Sequence, residues 1–169
     1  MNIPSIIGNY VSAKSMWEDI KEGRSIISKK PLSQEESVKQ LEERLPQILS
    51  AFSWGVIGFF GNDEITLRNE LGPAIILLGA HDRSSLLTEA CSYIKEIVEY
   101  SKKKNIDLNR ILENDPAVHT NFRIASLLCK LHSKTLQKDE ILLLCSLITP
   151  RSNQEIFHQV LLTLKEYLE

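Results

Sequence analysis

The sequence contains few of the residues that interrupt helices or cross-link small folds. Seven glycines and six prolines among 169 residues exclude a fibrous or low-complexity chain, and a hydrophobic content of 43% supports a packed globule. The three cysteines, Cys91, Cys129 and Cys145, are odd in number and widely spaced. We therefore expect buried free thiols in a reducing compartment and no disulfide framework.

No apolar run is long enough to span a membrane. The sequence is uncharged from Leu45 to Asn62, but the apolar part of this segment covers about 14 residues, where a span needs about 20. Its glycines, Gly55, Gly58 and Gly61, would let another backbone approach closely. We predict a buried core helix around which the other helices pack. The N-terminus lacks a basic start followed by an apolar run, so no signal peptide is expected.

Catalytic and ligand-binding motifs are also missing. The sequence has no glycine-rich phosphate loop, no HExxH, no GxSxG and no paired-carboxylate signature. The histidines are scattered at His81, His119, His132 and His158. Cys129 and His132 have metal-ligand spacing, but no second pair follows, so we expect no metal site. Because the catalytic motifs are missing, we also expect no enzymatic activity and no cofactor. His81 is the candidate pH sensor, because a histidine at an assembly contact would gain charge between roughly pH 5 and 7.

Apolar residues recur at helical spacing along the chain, and no segment alternates apolar and polar residues as a strand does. We therefore predict an all-α fold of about nine short helices. They are expected to form two packed subdomains, residues 1–80 and residues 81–169.

The N-terminal pattern predicts two short helices, over residues 4–11 and residues 12–22. Tyr10 and Val11 are expected to face inward from the first of them.

Local start and stop signals delimit the next helices. Ser33 and Glu36 have the spacing of a capping box, and Pro46 is expected to open the central helix. Asp63 is expected to cap the helix that follows. Residues 74–79 are apolar all round and are predicted to be buried.

The second half of the chain has similar signals. Helices are predicted over residues 84–103, 107–113, 115–132, 137–148 and 152–168. The first of these is expected to be the longest uninterrupted helix. Asp115 followed by Pro116 is a start signal, and Ser152 with Glu155 forms a second capping box.

Charge is unevenly distributed along the sequence. Residues 1–100 carry 10 Lys and Arg against 14 Asp and Glu, a balance of −4, whereas residues 101–151 carry 9 against 5, a balance of +4. A first basic set comprises Lys95, Lys102, Lys103 and Lys104, and a second comprises Arg123, Lys130, Lys134 and Lys138. These side chains could complement a helix dipole or line a solvated helix surface, or they could bind anionic lipid headgroups or RNA.

The order of several motifs resembles the N-terminal domain of orthomyxovirus matrix proteins. The matching stretches are Tyr10-Val11, Ile48-Leu49-Ser50, Gly55-Val-Ile-Gly-Phe-Phe60, Ile124-Ala-Ser-Leu-Leu-Cys-Lys-Leu-His132 and Glu140-Ile-Leu-Leu-Leu-Cys145. Each motif is apolar and unspecific, but together they are colinear over most of the chain. The resemblance implies a virion layer protein that self-assembles beneath the envelope. It would bridge the inner membrane leaflet to ribonucleoprotein, with both basic sets as contact residues.

The chain also departs from that family. Influenza matrix proteins are strongly basic, whereas this chain has a net charge of −2. The influenza cluster of cysteines and histidines has no counterpart after Cys145. The chain is therefore more similar to a divergent, thogotovirus-like member. The family's C-terminal domain is expected to lie outside this sequence. The resemblance implies locations in the virion, in the host cytoplasm and nucleus, and at the inner face of the plasma membrane.

A second resemblance keeps an alternative open. Phe52-Ser-Trp-Gly-Val-Ile-Gly-Phe-Phe60 is similar to the Asn-Trp-Gly-Arg motif of apoptosis-regulating helical bundles. Val56 replaces the arginine that pairs with an acid of the bound helix in that family. This alternative predicts an adaptor that binds a partner helix in an apolar groove beside Trp54.

Overall fold

The computed structural model describes residues 3–71, 82–149 and 154–168, and these ranges contain eight helices. In chain order they are α1 (Ile3–Lys21), α2 (Gln34–Gly61), α3 (Glu64–Leu71), α4 (Arg83–Lys103), α5 (Leu108–Leu112), α6 (Pro116–His132), α7 (Lys138–Ile148) and α8 (Gln154–Leu168). Within these ranges there is no strand, only an isolated bridge between Arg24 and Pro31. The predicted all-α class is confirmed.

The core is built around α2, which contacts α1, α4, α6 and α8. The segment predicted to be a buried core helix forms its C-terminal half, and the side chains of Phe52, Val56 and Phe59 are fully buried there. A Cβ atom at Gly55 would lie 2.9 Å from Cδ2 of Tyr10. The missing side chain therefore makes room for the Tyr10 ring of α1. The glycine pattern predicted the close approach of another backbone, whereas the neighbour at Gly55 is a side chain.

α1 is one continuous helix of 19 residues, so the prediction of two short helices is wrong. Tyr10, Ala13 and Trp17 are fully buried and recur at helical spacing across the predicted break. Burial of this stripe favours a single helix. The inward position of Tyr10 is confirmed, but Val11 is 44% exposed, because neighbouring residues on a helix point about 100° apart.

Pro46 lies inside α2 and does not open a new helix, so this prediction is also wrong. A proline within a helix costs about 3 kcal/mol or more. Leu45, Ile48 and Leu49 beside it are fully buried, and their burial offsets that cost. The resulting α2 has 28 residues and α4 has 21, so the predicted longest helix is in fact second to α2.

Apart from Pro46, the start signals that fall within the described residues are confirmed. The Glu36 amide donates to Ser33 Oγ at 3.2 Å, and the Ser33 amide donates to Glu36 Oε1 at 3.3 Å. The Thr66 amide donates to Asp63 Oδ1 at 2.7 Å. Caps depend on residues three apart in sequence, which is why the sequence alone predicts them.

Cys91 and Cys129 form a disulfide, so the expectation that all three thiols are free is wrong for this pair. The two residues are separated by 38 positions in sequence, but α4 packs against α6 and brings their Cα atoms to 5.5 Å. That separation lies within the range of disulfides. Cys145 is a free, half-buried thiol.

Several predictions lie outside the described residues. They are the apolar segment 74–79, the candidate pH sensor His81, the capping box of Ser152 and Glu155, and the boundary between residues 80 and 81. The matrix-like division into two subdomains stays a prediction.

Candidate functional site: a basic face on α4 and α6

Two contacts fix the register of α4 and α6. Cys91 is bonded to Cys129, and one helical turn away Thr88 Oγ1 is hydrogen-bonded to His132 Nε2 at 3.1 Å. A step toward the N-terminus of α4 is therefore a step toward the C-terminus of α6, and the two helices run antiparallel. At about 1.5 Å of rise per residue, the same register brings Arg123 of α6 level with Ile97 on α4, between the levels of Lys95 and Lys102.

The first basic set lies on the solvent-exposed side of α4 and at its C-terminal end. Lys95, Lys102, Lys103 and Lys104 are all exposed, and within the described ranges none of them forms an ion pair. Lys104 Nζ lies 5.7 Å from the centre of the Tyr100 ring. We call the exposed surface of Lys95, Lys102, Lys103, Lys104 and Arg123 the basic face.

Two of the acids on α4 are turned away from the basic face and paired. Lys21 Nζ lies 2.8 Å from Glu96 Oε1, and Lys14 Nζ lies 2.7 Å from Glu89 Oε1. Partial burial acts to lower the pKa of Lys21, but its hydrogen bonds to Glu96 and to Glu18 raise it overall. The lysines of α1 thus offset acids that would otherwise weaken the positive potential of α4.

The lysines of the second basic set do not form one shared surface in the structure. Lys130 is paired with Glu140 of α7, which offsets its charge. α6 ends at His132, and Lys134 follows in a left-handed conformation with φ of 62°. Lys130 and Lys134 therefore do not share a helix face, although a spacing of four would place them on one. Lys138, the first residue of α7, is exposed.

Arg123 is the member of the second set that lies at the axial level of the first set, on the neighbouring helix α6. It is exposed on α6, and the disulfide holds that helix against α4. In the sequence Arg123 groups with Lys130, Lys134 and Lys138, because the pairing of the two helices is a non-local contact. No short-range pattern in the sequence predicts that pairing.

A cleft of about 430 Å³ lies beside the other end of the α4–α6 contact. It is lined by Phe60, Arg83, Ser84, Leu87, Leu131, His132, Lys134, Thr163, Glu166 and Tyr167. The Arg83 guanidinium donates to the carbonyl oxygens of Phe59 at 2.8 Å and Phe60 at 2.7 Å. Arg83 therefore caps the C-terminus of α2, a role that sequence analysis missed.

His132 lies in the same cleft and is half-buried. Burial lowers its pKa, and the charge of Arg83 lowers it further, while a backbone hydrogen bond to Ser84 opposes both. His132 therefore favours the neutral form. With Cys129 bonded to Cys91, the metal-spaced pair considered in the sequence is engaged in contacts between α4 and α6.

A second cleft, of about 500 Å³, lies beside Trp54. It is lined by Asn9, Ser12, Met16, Glu43, Pro46, Gln47, Ser50, Ala51, Trp54, Asp115 and Val118. The lining mixes apolar side chains with amides, hydroxyls and two carboxylates. This is a more polar surface than the apolar groove that the adaptor alternative predicts.

No helix among the described residues is both long and apolar enough to cross a membrane. No group of three or more histidines, cysteines and acids among them is arranged to hold a metal ion.

Comparison of the chain with protein-family models, curated proteins and solved structures finds no match.

Proposed function

We propose that this chain is a non-enzymatic viral matrix protein. It self-assembles beneath the envelope and bridges the inner leaflet of the membrane to ribonucleoprotein. The basic face supports this function, because Lys95, Lys102 and Lys103 of α4 and the C-cap residue Lys104 are exposed and form no ion pair within the described residues. Glu99 is also exposed on α4 and offsets part of their charge. The colinear motifs shared with orthomyxovirus matrix proteins favour this function over other uses of a basic surface.

The charge of one copy is sufficient only for weak attachment to a membrane. Each lysine near an anionic leaflet contributes about 1 kcal/mol. A layer of many copies multiplies these contacts, because each bound copy raises the effective concentration of the next. Membrane binding and self-association are therefore expected to reinforce each other in the virion and at the inner face of the plasma membrane.

The uneven charge of the chain supplies a route to self-association. The acidic balance of residues 1–100 complements the basic balance of residues 101–151. A contact between the acidic part of one copy and the basic part of the next is heterologous, so it can propagate without closing.

Ribonucleoprotein is the proposed partner for the opposite side of the layer, in the host cytoplasm and nucleus as well as in the virion. Lys134 and Lys138 are exposed and are candidates for phosphate contacts, including direct contacts with RNA. Binding of this kind weakens steeply as salt increases.

Self-assembly is tested by replacing Lys102, Lys103 and Lys104 with Glu. We expect wild-type protein to form large oligomers at low salt and about pH 6, and the triple variant to lose them. A matched control replaces Lys30, Lys39 and Lys165, which are exposed elsewhere, and changes the net charge by the same amount. Analytical ultracentrifugation measures the outcome. Unchanged oligomers in the triple variant would exclude the charge-pairing mechanism.

A helical adaptor is the second candidate, and the cleft beside Trp54 is where it would bind a partner helix, although the lining is more polar than the predicted groove. Glu43 and Asp115 in its lining fit a partner helix that presents basic as well as apolar side chains. An adaptor would stay monomeric under the conditions above and would not bind lipid vesicles. The two candidates are therefore separated by the same measurements.

A further inference from the structure

The disulfide between Cys91 and Cys129 joins the two helices that carry the basic face. Both cysteines are half-buried, so each residue keeps part of its surface in contact with solvent, from which a dissolved thiol approaches. Cys145, on α7, is not bonded. Among the described residues, this disulfide is therefore the single covalent cross-link between α4, which carries Lys95, and α6, which carries Arg123.

The inner side of the same contact does not depend on the disulfide. Ile94 and Ile97 of α4 are buried in the same core as Ile124 and Leu128 of α6. This apolar contact keeps the two helices together when the sulfur atoms separate. Opening the disulfide is thus expected to loosen the outer side of the contact without unfolding the chain.

We propose that Cys91 and Cys129 form a reversible redox switch that regulates the basic face, an inference that rests on the proposed function. In the oxidised form, α4 and α6 are fixed and their cations keep one arrangement. In the reduced form, the outer side of the α4–α6 contact is mobile. Binding to an anionic surface then requires that the two helices first become ordered. Ordering of this kind lowers affinity.

The chemistry is thiol–disulfide exchange with glutathione as the co-reactant. The thiolate of one cysteine attacks glutathione disulfide, which gives a mixed disulfide and releases one glutathione thiolate. The second cysteine then attacks the mixed disulfide and releases the other glutathione. Two protein thiols are oxidised, one glutathione disulfide is reduced to two glutathiones, and the two thiol protons pass to the released thiolates. Excess reduced glutathione reverses each step.

The first measurement uses the full chain equilibrated in glutathione buffers of different ratio. Maleimide labelling followed by mass spectrometry counts the free thiols. We expect one label, on Cys145, in oxidising buffer and three labels in reducing buffer. Three labels at every ratio would overturn the proposed switch.

The second measurement is amide hydrogen exchange in the two redox states. Reduction is expected to speed exchange in α4 and α6 and to leave α1 unchanged. The double variant Cys91→Ser with Cys129→Ser is expected to exchange like the reduced protein in either buffer, while the control Cys145→Ser keeps the full response. Identical exchange in the oxidised and reduced wild-type protein would overturn the proposed switch. This comparison uses wild-type protein alone, so it does not depend on whether the variants fold.

The third measurement is flotation with phosphatidylserine vesicles. We expect oxidised protein to bind about three to ten times more tightly than reduced protein, and the double variant to be insensitive to the buffer. Equal binding by both redox states would overturn regulation of the basic face. If neither state binds vesicles while exchange in α4 and α6 still responds, the proposed membrane function fails and the redox coupling of the two helices stands.

Discussion

Tyr10 of α1 packs at the centre of the contact between α1 and α2. Its ring is fully buried and makes edge contacts with Phe52 and Phe59, at centroid distances of 5.4 and 5.6 Å. Burial raises its pKa, and the carboxylate of Glu89 raises it further, so the hydroxyl remains a hydrogen-bond donor to Glu89 at 3.1 Å. The ring is held on several sides and cannot move away from Gly55.

Replacing Gly55 with Ala is expected to lower the free energy of unfolding. A new Cβ would lie 2.9 Å from the Tyr10 ring, and such overpacking costs about 1–3 kcal/mol. The control is Gly8→Ala, an exposed helical position with no atom within 4 Å of the new Cβ. It should raise stability by about 0.5–1 kcal/mol through helix propensity. Urea unfolding measures both, and a stabilised Gly55→Ala variant would contradict this packing.

Asp19 makes the free energy of unfolding depend on pH. Asp19 is only 5% exposed, and its carboxylate forms ion pairs with Lys29 at 2.5 Å and with Arg24 at 3.2 Å. The hydrogen bond from Lys29 lowers the pKa of Asp19, partial burial opposes this, and Arg24 lowers the pKa further. Because the folded pKa is depressed, the stabilisation is present above the unfolded pKa and is lost as pH falls below about 4.

We therefore expect Asp19→Asn to be less stable than wild type at about pH 6, with a difference that shrinks as pH falls below about 4. Urea unfolding across this range measures the difference. The control Glu22→Gln, at an exposed carboxylate with no ion pair in the described residues, should follow the wild-type profile. A difference between Asp19→Asn and wild type that is constant with pH would contradict the depressed pKa.

Residue-level features could be predicted from the sequence when their partners are close in the chain. The caps at Ser33 and Asp63 are of this kind. The Cys91–Cys129 bond and the capping of α2 by Arg83 join residues more than 20 positions apart. Such contacts depend on helix packing, which the local pattern does not encode.

At the scale of the helix, the capping box of α2 makes a testable contribution. Replacing Ser33 with Ala removes the acceptor for the Glu36 amide and should cost about 1 kcal/mol. Ser15→Ala, at an exposed position inside α1, is the control and should be neutral or slightly stabilising. Equal effects of the two substitutions in urea unfolding would contradict the role of the cap.

Helix existence was easier to predict than helix continuity. The apolar spacing identified the residues of α1 and α2, but Pro46 and the residues around Val11 suggested breaks that are absent. Propensity is a local preference of at most a few kcal/mol. The buried stripes of both helices continue through these positions, and their packing outweighs that preference.

At the scale of the molecule, the lysines of the basic face can be identified in the sequence, but the ion pairs around them cannot. Glu96, the residue after Lys95, pairs with Lys21 of α1. Lys130, a member of the second basic set, pairs with Glu140 of α7. Charge counts along a sequence show how much charge is present, and only the packing of helices determines which charges remain unpaired.

Flotation with phosphatidylserine vesicles at about 30 and about 300 mM salt tests most directly whether the basic face binds an anionic surface. We expect wild-type protein to float at the lower salt and to dissociate at the higher. Replacing Lys102, Lys103 and Lys104 with Glu should weaken binding by about a hundredfold, since each lysine contributes about 1 kcal/mol. The control with Lys30, Lys39 and Lys165 replaced by Glu should still float. Flotation of the Lys102, Lys103 and Lys104 variant at wild-type levels would contradict the account.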